Sequence, residues 1–110
     1  MRPIDWFVPT RIRFGRGALE RYLPEASRFG RSAFIVTGRR FARESGLLDR
    51  VAAVLNDCGM QTTVFAGVEP EPTIANVERA AEECRKAGCD CVVALGGGSP
   101  LDAGKAVAVL

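Results

Sequence analysis

The chain sets short, continuous apolar runs between longer stretches in which apolar residues recur every three or four positions. Ser32–Thr37 (Ser-Ala-Phe-Ile-Val-Thr) and Cys91–Leu95 (Cys-Val-Val-Ala-Leu) are runs of the first kind. They are short and lack polar alternation, which predicts strands covered on both faces. Gln61–Phe65 is predicted as a third strand. Leu47, Leu48, Val51, Val54, Leu55 and Cys58 share one face at helical spacing, so Leu47–Cys58 is predicted as a helix. Gly59 stands where a left-handed residue closes such a helix. Ile74, Val77, Ala80, Ala81 and Cys84 mark a second amphipathic helix to about Ala87, with Thr73 as N-cap and Gly88 after it. A more evenly apolar helix follows from about Ser99 to Leu110.

The first thirty residues are less regular. Residues 1–9 read as an extended lead-in carrying Pro3 and Pro9. Arg11-Ile12-Arg13-Phe14 alternates and is predicted as a strand, ended by Gly15 and Gly17. As an edge strand it is a surface on which a second copy can pair, which makes a homodimer an expectation. Ala18–Leu23 is predicted as a short helix stopped before Pro24. Gly67–Pro72 is extended, because Pro70 and Pro72 push the residues before them out of helical space. Strand, helix, strand, helix, strand, helix is the order of an α/β fold, a parallel sheet with right-handed crossovers. No repeat, linker or low-complexity tract interrupts it. Ala106–Leu110 carries no helix stop signal, so the chain is expected to be a fragment of a longer protein.

Composition narrows the chemistry. The 110 residues are 47% hydrophobic and 25% charged, as in an ordinary globular domain, and none is His. Ser-His-Asp, Cys-His and zinc-finger sites are therefore excluded from this chain, and any catalysis that needs an imidazole must use residues it does not contain. A net charge of +2 gives no argument for nucleic acid. Residues 1–55 hold eleven basic and five acidic side chains, residues 56–110 four and eight. Most of the basic residues are spread singly and read as a solvated face. The adjacent pair Arg39–Arg40 stands apart. Cys58, Cys84, Cys89 and Cys91 form no CxxC pair and read as buried free thiols, as in a reducing cytosol. Cys89 and Cys91, two apart, are expected on one strand face. Without a signal peptide or a membrane-length apolar run, a cytoplasmic protein that binds neither membrane nor nucleic acid is expected.

The sharpest signal is Leu95-Gly96-Gly97-Gly98-Ser99-Pro100-Leu101-Asp102-Ala103-Gly104-Lys105. It joins a predicted buried strand to a helix N-terminus. Three glycines let the backbone approach an anion, and the first helical N–H groups lack intrahelical partners and point outward. Ser99 adds a hydroxyl donor and is a candidate cap. Pro100 suits the first turn, where its missing N–H costs nothing. In α/β sheets ligands gather at the carboxyl ends of strands, where this loop lies. A P-loop is excluded, because five residues separate Gly98 from Gly104 and Ala106 follows Lys105. Gly15-Arg16-Gly17-Ala18-Leu19-Glu20 only approaches GxGxxG and reads as a turn. The competing reading of the triple glycine is a tight strand-to-helix turn.

Gly96–Lys105 resembles the GGGSxxDxxK signature of the iron-containing (group III) alcohol dehydrogenases and meets all its fixed positions. Phe7-Val8-Pro9-Thr10 with Phe14-Gly15-Arg16-Gly17-Ala18, Ile35-Val36-Thr37-Gly38 with Ser45-Gly46, and Pro72-Thr73 resemble further segments of that family. The resemblance implies a Rossmann-like nucleotide-binding α/β domain. Residues 1–110 would be the partial N-terminal part of it. The helical domain that holds Fe2+ or Zn2+ through one Asp and three His would be absent. It also implies hydride transfer between NAD or NADP and a small alcohol, giving an aldehyde or ketone. This chain alone is then expected to be inactive. Gly97, Gly98 and Ser99 would hold the pyrophosphate, with Asp102 near the cofactor. Two positions depart from the family. Gly38 replaces the Asp that accepts hydrogen bonds from the adenosine ribose, and Arg39 and Arg40 come directly after it. That exchange suits the 2′-phosphate of NADP, against the other reading of Arg39 and Arg40 as solvated loop charges. Glu71 stands where the family usually has Asn, which puts a carboxylate near the phosphates. Two alternatives are a free-standing nucleotide-binding module and part of a related dehydroquinate synthase or glycerol dehydrogenase-like enzyme.

Overall fold

The computed structural model describes Pro3 and residues 10–110; apart from Pro3, the lead-in expected over residues 1–9 lies outside the described residues. Three parallel strands form one sheet: β1 Ser32–Gly38, β2 Gln61–Val68 and β3 Cys91–Leu95, in the order β2-β1-β3. The helices are α1 Ala18–Tyr22, α2 Phe41–Glu44, α3 Leu47–Asp57, α4 Ile74–Ala87 and α5 Gly98–Val109. The α/β fold read from the periodicity is therefore the observed one.

The central strand explains the layering. Ala33 and Ile35 face α2 and α3, packing with Leu48, Val51, Leu55 and Leu95. Phe34 and Val36 face α4 and α5, packing with Phe65, Val68, Ala80, Ala81, Ala103 and Val107. Phe34, Ile35, Val36, Val51 and Leu55 are fully buried. Each such side chain contributes roughly 1.5–3 kcal/mol by leaving water. Helix α5 lies close on β3 because Gly104 has no side chain: a Cβ there would sit 2.8 Å from that of Ala94.

Several elements differ from expectation. Arg11–Phe14 is not a strand; Ile12 and Phe14 are 81% and 99% exposed, so alternation there reflects no buried face. α1 ends at Tyr22, and Pro24 sits in a 3₁₀ helix, Leu23–Arg28, that continues rather than stops the chain's turn. α2 has no counterpart in the sequence pattern; it is one turn long and buries only Ala42. Ile74, placed in the core by spacing, is 79% exposed, because α4 turns Asn76, Ala80 and Ala81 inward instead. β3 buries only Leu95 fully, being an edge strand rather than a covered one.

The thiols are free but only half-buried, and Cys89 and Cys91 lie on opposite sides of the sheet. Cys89 precedes β3, in the turn where its N–H donates to Cys84 O behind left-handed Gly88, so strand parity does not reach it. Burial raises the Cys84 and Cys91 thiols above their ordinary pKa, disfavouring the thiolate.

Candidate functional site

All three strands end on one side of the molecule, and their exits build a cleft of about 680 Å³. β1 contributes Thr37 and Gly38, followed by Arg39, Arg40 and Phe41. β2 contributes Val68, followed by Glu69, Pro70 and Glu71. β3 contributes Leu95, and Gly96, Gly97, Ser99 and Pro100 lead on from it into α5. After β1 the chain turns to the α3 face, and after β3 it turns to the α5 face. The cleft thus opens where neighbouring strands send their helices to opposite sides, the switch point at which α/β sheets bind ligands.

The glycine loop is open backbone. Gly96 has φ +117°, a conformation that side chains rarely adopt, and a Cβ there would press on Pro100 at 3.3 Å. Cβ atoms built on Gly97 or Gly98 would meet nothing within 4 Å. The first intrahelical bond runs from Leu101 N–H to Gly97 O at 3.3 Å. That leaves the Gly98 and Ser99 N–H groups as the exposed donors of this helix end, since Pro100 has none. Ser99 does not cap α5: Gly97 is the N-cap residue, and the Ser99 hydroxyl donates to Pro70 O, tying the loop to the exit of β2.

The exit of β2 is shaped by a register shift. Val36 pairs with Phe65 but Gly38 with Val68, so one extra residue bulges from β2. Gly67 accommodates the bulge, where a Cβ would come within 3.1 Å of the Phe65 ring and 3.0 Å of the Arg79 guanidinium. Asn76, 7% exposed, fixes it in place. Its side-chain amide donates to Gly67 O at 3.0 Å, and its Oδ1 accepts from the Glu69 N–H at 3.2 Å. Thr73 holds the same turn by accepting from the Asn76 N–H at 3.1 Å, as its predicted cap role requires.

Charge in the cleft is mixed. The Arg39 guanidinium stands 3.8 Å from the Glu69 carboxylate, while Arg40 has no ion-pair partner among the described residues. Beneath them, Thr37 is 1% exposed and its hydroxyl has no hydrogen-bond partner among the described residues.

Of the residues singled out in the sequence, Gly38, Arg39, Arg40, Gly97 and Ser99 meet at this cleft. Gly98 adjoins it as the first helical residue, and Asp102 does not line it. Asp102 borders a separate hollow with Thr73, Glu78 and Lys105. The sequence pattern does not single out Thr37, Glu69 or Asn76. Gly67 inside a strand pattern is the signal that marks the bulge, whereas nothing local marks Asn76, an isolated polar residue three positions after a cap.

The iron-containing alcohol dehydrogenase family model matches residues 9–110, so the chain belongs to that family. It is 36% identical over 108 residues to the probable NADH-dependent butanol dehydrogenase 2 of Bacillus subtilis, a match covering 98% of this chain and 28% of that protein. The NADPH-dependent butanol dehydrogenase of Clostridium saccharobutylicum is 35% identical over 100 residues, covering 91% and 25%. The crystal structure of an iron-containing alcohol dehydrogenase from Thermotoga maritima superposes with a TM-score of 0.90 and 38% identity, over 96% of this chain and 30% of that one. The chain spans less than a third of the length of the relatives it matches.

Proposed function

We propose that the chain holds the adenosine and pyrophosphate of a nicotinamide dinucleotide, taking NADP in preference to NAD, for oxidoreduction of a small alcohol and its aldehyde or ketone. The observation that carries this is the cleft at the strand exits, floored by a glycine loop whose helix-end N–H groups are open. A bound nicotinamide supplies the hydride chemistry. The chain's own part is to bind and orient. Gly97, Gly98 and Ser99 give a pyrophosphate room, and the Gly98 and Ser99 N–H groups donate to it. The Ser99 hydroxyl steadies the loop from Pro70. Asp102 lies outside the cleft lining and is assigned no direct contact.

The NADP preference rests on Gly38, Arg39 and Arg40. A Cβ at Gly38 would meet only Pro100 Cγ and Val68 O, each at 3.9 Å, so an acid would fit there. Its absence removes the acceptor for ribose hydroxyls, and the next two residues are cations suited to a 2′-phosphate. The family's metal chemistry, through one Asp and three His, is assigned to no residue of this chain, which has no His. With no His to supply the implied ligand set, the 110 residues alone are expected to be inactive. Alcohol oxidation by the purified chain with added Fe2+ or Zn2+ would overturn that. No helix among the described residues is long and apolar enough to cross a membrane. A cytoplasmic setting is supported by the four free thiols.

Calorimetric titration of the chain with NADP and NAD tests the cofactor reading. Tighter NADP binding is expected, with Gly38→Asp shifting the preference toward NAD by about tenfold, the scale of one charged contact. Tighter NAD binding by the unaltered chain would refute it.

A further inference from the structure

We propose that Glu69 sets how strongly this site discriminates NADP from NAD, as the counter-ion that a 2′-phosphate must displace from Arg39. The inference rests on the dinucleotide reading and adds a specificity-determining residue to it. Two arginines leave β1 and two glutamates bracket Pro70 beyond β2, all four lining the same cleft. The strands are adjacent and parallel, so the two pairs of opposite charge face each other across its mouth.

Glu69 is placed there by the fold. Its N–H is held by Asn76 Oδ1 at 3.2 Å, and the bulge before it is held by the Asn76 amide at 3.0 Å. The carboxylate lies 3.8 Å from Arg39, with the two side chains 44% and 68% exposed. An ion pair that exposed is weak and easily exchanged. A phosphate monoester offers Arg39 more charge and three acceptor oxygens in one group. It must nevertheless compete with Glu69 for the guanidinium and enter beside its carboxylate. NAD, lacking the phosphate, leaves the pair undisturbed. Neutralising Glu69 therefore helps the phosphorylated dinucleotide selectively. Glu71 lines the cleft without pairing to Arg39, so neutralising it removes the same charge without freeing that cation.

The test is calorimetry of the 110-residue chain with NADP and with NAD at low ionic strength, for the unaltered chain, Glu69→Gln, Glu71→Gln, Arg39→Gln and the Arg39→Gln/Glu69→Gln double variant. Glu69→Gln should raise the NADP-to-NAD affinity ratio about three- to tenfold, the range for relieving one exposed charge pair. Glu71→Gln should change it less, and the Glu69→Gln gain should vanish in the Arg39→Gln background. Circular dichroism confirms that each exposed substitution leaves the fold intact. An unchanged ratio in Glu69→Gln, an equal gain for both dinucleotides, or a gain that survives Arg39→Gln would overturn the inference. An unaltered chain that prefers NAD refutes the NADP reading alone, because the Glu69→Gln ratio still decides the role of Glu69. Failure of every chain to bind either dinucleotide overturns both.

Discussion

The two ends of the sheet are built on opposite principles. At the amino ends of the strands a single carboxylate ties off neighbouring donors. The Asp90 carboxylate accepts from the Arg31 N–H at 3.0 and 3.2 Å and from the Ser32 N–H at 3.0 Å, and the Asp90 N–H donates to Ser32 O at 3.0 Å. Gly30 is part of the same clasp, since a Cβ there would collide with that carboxylate. At the carboxyl ends Asn76 and Ser99 brace the exit of β2, but other polar groups are left open. Helix N–H groups face a cleft, Thr37 keeps a buried hydroxyl without a partner among the described residues, and Arg39 and Glu69 meet only at 3.8 Å. Buried polar groups are ordinarily satisfied, so the contrast separates an end whose polar groups are tied off from an end that keeps a buried hydroxyl unpartnered among the described residues, the end to which the dinucleotide is proposed to bind.

The largest expected effect breaks the open end alone. Gly97 has φ −80° and free space around it, so Gly97→Asp should fold normally. A carboxylate placed against a pyrophosphate should lower dinucleotide affinity by about a hundredfold, read by calorimetry. Gly104→Ala should do the reverse, costing about 1–3 kcal/mol in urea denaturation through its clash with Ala94, because α5 must lift from β3.

The closed end should show itself in acid. The backbone N–H groups of Ser32 and then Arg31 hold the Asp90 carboxyl below the ordinary range, so its contribution is present above the unfolded-state value and is lost as pH falls through the lower folded one. Glu20, bonded to Arg50, and Glu82, bonded to Arg85, are lowered in the same direction. Asp90→Asn should destabilise the chain near neutral pH and flatten the acid limb of its stability profile, measured by thermal melts from about pH 7 to about pH 3. The smallest effect is expected from Thr37→Val. Removing an unpaired buried hydroxyl should stabilise the free chain by up to about 1 kcal/mol, read as a raised melting temperature.

The central strand was legible because β1 needs five consecutive buried positions, Ala33 to Thr37, and a nearly continuous apolar run provides them. The helix ends at Gly59 and Gly88 were legible because their left-handed φ values favour glycine. Position in the sheet was not legible. Cys91–Leu95 reads like Ser32–Thr37, yet β3 lies at an edge and β1 at the centre, a difference fixed by tertiary order rather than local composition. Half of the candidate site was readable from the glycine loop and the Gly38-Arg39-Arg40 turn. The other half, Thr37, Glu69 and the Asn76 brace, depends on a one-residue bulge that brings the β2 exit over the β1 exit. Asp102, a fixed signature position, borders the neighbouring hollow with Thr73, Glu78 and Lys105.

The central claim is that the strand exits, and not the clasped end, receive a dinucleotide. Amide NMR of the 110-residue chain titrated with NADP reads both ends at once. The account predicts saturable shifts at Gly38, Arg39, Arg40, Glu69 and Gly96–Ser99, with Arg31, Ser32 and Asp90 unmoved. Shifts centred on Arg31, Ser32 and Asp90, or none at the glycine loop with ligand in large excess, would contradict it.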